Sequence, residues 1–107
     1  MPPVAFSSLC CSREYQRSEG YSAFLKVYSR VKEWVRTAPP AEVAAAEADF
    51  FPAVAGELLA AAVARYQALG CWAGSIDISR ELYEQALNVF QAAGAIAWRH
   101  SYDEVVG

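Results

Sequence analysis

The chain has 107 residues, a net charge of −3 and 55% hydrophobic residues, much of that alanine. Its 9 Lys+Arg are spread along the chain rather than gathered in a basic patch, which argues against nucleic-acid binding. No apolar run approaches the roughly 20 residues that cross a bilayer, and 3 Trp, 6 Tyr and 5 Phe in so short a chain argue for a packed core over disorder.

In chain order, the stretch from Val4 to Cys11 follows two prolines, begins with β-favouring residues and predicts a short strand or extended arm over 4–11. A lone strand cannot satisfy its own backbone groups, so it implies a partner: a second copy or more protein. MPPVAFSSLCC has neither a basic n-region nor a long apolar segment, so it does not read as a signal peptide. On that reading the chain is cytoplasmic if Met1 is the natural start.

Ser12 caps a short turn over 12–17, and Ser18 is a cap for the next helix. Tyr21, Phe24, Leu25, Tyr28, Val31 and Val35 recur at i, i+3, i+4, i+7 spacing, with Trp34 beside them, and predict a helix over 21–37. Pro39-Pro40 ends it, because proline lacks the N–H and clashes with the preceding turn. A short alanine-rich helix follows over 41–49. Phe50-Phe51-Pro52 breaks it and is expected to plug the junction with two rings. A further helix spans 56–69, with Leu58, Leu59, Ala62, Val63, Tyr66 and Leu69 as its stripe and Gly70 as its stop. Ser79 opens the last long helix, 79–93, with Glu81 and Glu84 favoured near its N-terminus and Gly94 ending it. Residues 102–106 read as a final turn. The expectation is one small helical unit over 1–107: all-α, about four helices with short connections, plus the N-terminal strand.

The candidate sites have plainer readings beside the sharp ones. His100 is either a general base or metal ligand or an exposed polar residue; no Cys or carboxylate stands at ligand spacing, which favours the second. Trp72 is a stacking platform or a core plug following the glycine stop, and Trp34 and Trp98 divide the same way. Ser7-Ser8 could donate hydrogen bonds to an anion, or simply end a strand. Glu81 and Glu84, at i and i+3, are close enough to repel or to share a cation. Glu42, Glu47, Asp49 and Glu57 read as solvated helix carboxylates. Cys10, Cys11 and Cys71 form no CxxC and read as small buried hydrophobes in a reduced chain, with pairing of Cys10 or Cys11 to Cys71 as the alternative. No nucleotide-binding, zincin or serine-hydrolase motif is present. The residues thus point to no catalytic site, metal or cofactor, and to no located ligand site.

One stretch has a more specific order. Tyr66, Leu69, Gly70 and Trp72 are followed by Ile78-Ser79, Tyr83, Ala93-Gly94 and Tyr102-Asp103-Glu104-Val105-Val106. Ahead of them stand Phe6-Ser7-Ser8-Leu9, Ser12-Arg13-Glu14-Tyr15, Phe24, Trp34 and Phe51-Pro52. In that order the chain resembles the C-terminal segment of the periplasmic substrate-binding proteins of nitrate, sulfonate/taurine and thiamine-pyrimidine-precursor ABC transporters. It departs from the family's pattern at Gly20, Gly56, Ala55, Ser75-Ile76 and Ser101. Those proteins have two α/β lobes closing on the ligand, and this chain corresponds to a partial domain of one lobe. The resemblance implies a non-catalytic role in transport, a small anion, sulfonate or pyrimidine precursor as solute, an ABC permease as partner and a periplasmic location. Two other readings stand beside it: a diverged, stand-alone helical module that self-associates and binds no solute, and, at the margin, a pyrimidine-forming enzyme on a related fold.

Overall fold

In the computed structural model of the chain the described residues are 7–106, and all their regular structure is helical. The elements are α1 (Arg13–Gln16), α2 (Glu19–Thr37), α3 (Pro40–Glu47), a 3-10 turn (Ala48–Phe50), α4 (Gly56–Ala68), α5 (Arg80–Ala92) and α6 (Tyr102–Val105). The described residues group into two compact units, one of Arg13–Gly74 and one of residues 7–12 and 75–106.

In the first unit the starts and stops follow the local chemistry. The Ser18 hydroxyl accepts the Tyr21 N–H at 3.2 Å, so α2 begins at Glu19, two residues ahead of the first periodic residue. It ends at Thr37, where Pro39 and Pro40 follow, and Pro40 opens α3 in the first-turn position that tolerates a missing N–H. The carbonyls left open at the end of α2 are met from α4: the Gln67 side-chain amide donates to Val35 O at 2.8 Å and to Ala38 O at 2.9 Å. Ala38, Val43 and Val63 form the buried centre, with Val35 and Trp72 packed against it. Val43 is the largest side chain fully out of solvent. Lys32 closes the far end by donating to Gly74 O at 3.1 Å.

In the second unit the Ser79 hydroxyl accepts the Leu82 N–H at 3.2 Å and opens α5. Ala86 is its buried residue. The Tyr83 and Tyr102 rings meet edge to face at 5.7 Å, and the Tyr102 hydroxyl donates to Ile78 O.

Three expectations are corrected. Residues 7–11 form no strand; they are exposed and lack the ladder partner that a strand requires, while 4–6 lie outside the described residues. Phe50 and Phe51 do not plug the junction, since Phe50 is 80% exposed and Phe51 45%. The three cysteines are free and exposed rather than buried or paired. Among the described residues no helix is long and apolar enough to cross a membrane.

Candidate functional site

The side chains weighed as catalytic or metal-binding do not converge. Among the described residues no three His, Cys, Asp or Glu groups could hold a metal ion together. The His100 ring stacks edge-on to Trp98 with centroids 4.3 Å apart, and its backbone carbonyl accepts the Tyr83 hydroxyl at 2.9 Å. Glu81 and Glu84 do not share a cation: Gln85 Nε2 donates to Glu81 at 3.2 Å, whereas Glu84 binds Arg99 at 2.7 Å. Ser7 and Ser8 are exposed, and the Ser8 carbonyl accepts the Cys10 thiol at a long 3.9 Å.

The tryptophans separate by environment. Trp72 is half-buried against the first unit's core and meets Tyr66 edge to face at 5.8 Å, the arrangement of a plug. Trp98 is 67% exposed in the second unit. Trp34 is exposed on α2 as part of a larger feature.

That feature is the outer face of α2. At about 100° per residue, Phe24, Val27, Val31 and Trp34 fall within an arc of roughly 80°. This arc lies about a quarter-turn from the half-buried set Tyr21, Leu25, Lys32 and Val35. The inner set packs on the helix's own unit, yet the outer four are all exposed, Val27 the most at 58%. Phe24 and Tyr28 stack at 5.7 Å with their planes 12° apart, which gives the outer face a rigid aromatic end. Arg30 borders this ridge, Lys26 lies beyond it, and the Glu33–Arg36 pair, at 2.6 Å, stands farther round the helix. That pair holds the Glu33 carboxyl below its ordinary value, chiefly through the Arg36 hydrogen bonds.

Two further apolar surfaces belong to the same unit. Leu58 and Leu69, 64% and 58% exposed, lie on one side of α4, away from its buried Leu59 and Val63. Between α3 and α4 runs a shallow groove of about 310 Å³ lined by Ala41, Ala44, Ala45, Gly56 and Ala60, with Glu57 at its side. Small side chains let helices approach closely and leave this surface low.

In the second unit the chemistry is that of a fastened tail. Arg80 pairs with Asp103 at 2.8 Å and lies 4.6 Å from the Tyr102 ring centre. Ser101 and Glu104 form a reciprocal cap at the start of α6. Glu104 is held below its ordinary value by the Ser101 N–H first and the Ser101 hydroxyl second, against a small opposing effect of burial. Sequence reasoning missed this latch. Its only advance signal was the i, i+3 pattern of Ser101 and Glu104.

The arrangement offers exposed apolar surfaces for packing on α2 and beside α4. Compared with family models, curated proteins and solved structures, the chain matches none.

Proposed function

We propose that this chain is a non-catalytic segment of an ABC transporter solute-binding protein, one that takes a small anion, sulfonate or pyrimidine precursor from the periplasm to an ABC permease. Two things support the reading. The first is the order of aromatic, glycine and serine positions from Tyr66 to Val106, which resembles the C-terminal end of that family. The second, and the observation that carries it, is the number of large apolar side chains left uncovered on α4, at its end and at the end of the preceding 3-10 turn. Leu58, Leu69 and Phe50 stand more than half exposed, beside a small buried set of Ala38, Val43, Ala44, Leu59 and Val63. Large apolar side chains left open to solvent in this way support a contact with other protein. In this reading the α4 side with Leu58 and Leu69 packs against the rest of a lobe, and the solute contacts lie chiefly there.

The test starts from the native product in its source cells. Its intact mass is expected to exceed 11.7 kDa. The purified product is then titrated with nitrate, taurine and a phosphorylated pyrimidine while tryptophan emission and heat are recorded. Saturable binding of one of these classes is the expected result. A native mass of 11.7 kDa with no heat or emission change across the panel would overturn the reading.

A further inference from the structure

The first unit carries two unlike faces of opposite charge. Along α2 stand Lys26, Arg30, Lys32 and Arg36 against Glu19 and Glu33, a net positive helix. From Ala38 to Ala64 there is no Lys or Arg, while Glu42, Glu47, Asp49 and Glu57 are all acidic. The charges best placed to meet a partner are also uncommitted at home. Lys26, Arg30, Glu42, Asp49 and Glu57 take part in no ion pair among the described residues. The apolar relief is complementary as well: α2 presents the ridge Phe24, Val27, Val31 and Trp34, and α3–α4 presents a low alanine floor with Glu57 beside it.

We infer that the chain associates head to tail with a second copy of itself, the outer α2 face of one copy seated in the α3–α4 groove of the next. The basic side of the ridge, Arg30 with Lys26 beyond it, then faces Glu57 and the acidic α3 segment. An amphipathic helix laid into an apolar groove with its anchors at i, i+3, i+7 and i+10 is an established form of recognition. Arg30 and Glu57 set its polarity. The patch that inserts differs from the patch that receives, so copies add in series and the average mass rises with concentration. This pairing does not rest on the transporter reading. It uses faces of residues 13–74 alone, apart from the Leu58–Leu69 side of α4 assigned there to the lobe.

The test is sedimentation velocity on the full chain over a wide concentration range. Wild type is expected to gain mass with concentration and to lose that gain as salt rises. Lys26→Glu with Arg30→Glu reverses exposed charges, so its helical circular dichroism should match wild type while association weakens about tenfold or more. Asp49→Lys with Glu57→Lys should weaken association similarly when introduced alone. Combining all four substitutions should bring it back near wild type. A wild-type chain that stays at 11.7 kDa at every concentration overturns the inference and leaves the solute-binding reading untouched. A folded reversed-charge α2 variant that associates like wild type, or a fourfold variant that stays weak, overturns it as well.

Discussion

Arg99 reaches from the tail back to Glu84 on α5, its Nη2 2.7 Å from the carboxylate and 3.1 Å from the Glu84 carbonyl oxygen. Its other terminal nitrogen donates to Asn88 Oδ1 at 2.9 Å. One guanidinium thus ties fifteen residues of chain into a loop and uses the fork geometry that lysine lacks. The Arg99 side chain is 30% exposed, so solvent screens the pair only in part.

Arg99→Lys should therefore not rescue Arg99→Ala. Removing the guanidinium is expected to cost about 1–2 kcal/mol, toward the low side of charged hydrogen bonds because Glu84 is itself partly exposed. Amide exchange at residues 98–104 should quicken in both variants, while exchange in α2 and α4 stays as in wild type. Equal exchange throughout the tail in wild type and Arg99→Ala would count against the latch.

Gly70 and Gly94 end α4 and α5 in the same way. Each has φ of +71°, the left-handed conformation that costs an L-residue about 1–2 kcal/mol. At the first, Cys71 N–H reaches Tyr66 O at 3.1 Å and Gly70 N–H reaches Gln67 O at 3.0 Å, the two bonds that close a helix terminus. A Cβ on Gly70 would meet only Ala73 Cβ at 3.8 Å, and one on Gly94 would meet nothing close. Gly70→Ala and Gly94→Ala should each lower stability by about 1 kcal/mol through backbone strain alone. Gly56→Ala, in a helix with open space around it, should raise stability by up to about 1 kcal/mol. Urea midpoints compare the three.

These stops, and the caps at Ser18 and Ser79, were legible because each depends on a few neighbouring residues. A serine hydroxyl meets an N–H three residues on, and a glycine takes a left-handed φ wherever the helix must end. The failures are of another kind. A strand is a property of a pair, and nothing in Ser7 to Cys11 can state whether a partner lies beside it. Burial of Phe50 or Cys71 depends on what stands across from it, and periodicity along one helix is silent about the far side of the gap. The α2 stripe shows the same limit. Tyr21 and Val35 pack inward while Phe24 and Val31 stay open, and all four appear alike as apolar residues at helical spacing. Arg99 to Glu84 was out of reach because it joins residues that only the folded tail brings together.

The two sides of α2 and the core beneath it give a paired prediction. Val43 has no exposed surface, so Val43→Ala leaves a cavity and should cost about 2 kcal/mol, a large share of the stability of so small a core. Val31→Ser removes an apolar group that is already 49% exposed and should change stability by no more than about 0.5 kcal/mol. Chemical denaturation of the two variants under dilute conditions measures this. A costly Val31→Ser would mean that the outer face is packed within the monomer.

Cys10, Cys11 and Cys71 are all exposed and free. Iodoacetamide should therefore add to all three thiols of the native chain without denaturant, giving a triply modified mass at a rate close to that of the unfolded chain. A thiol protected until urea is added would place that cysteine inside a contact.

Acid should loosen the start of α6. The Ser101 N–H and hydroxyl each reach Glu104 Oε2 at 2.8 Å, and both favour the charged carboxylate. Because the folded value lies below the unfolded value of about 4.3, the stabilisation is complete above that pH and is lost as pH falls through the folded value. The nearby His100 charge adds to the effect in the same direction. Amide exchange at Glu104 should thus accelerate below about pH 4 in wild type, beyond the intrinsic trend, while Ala86 on α5 does not follow. Glu104→Gln keeps an acceptor for the Ser101 N–H but cannot titrate, so its exchange at that position should be flat across the same window and somewhat faster at neutral pH. A Glu104→Gln chain that still shows the acid step would assign it to another carboxylate.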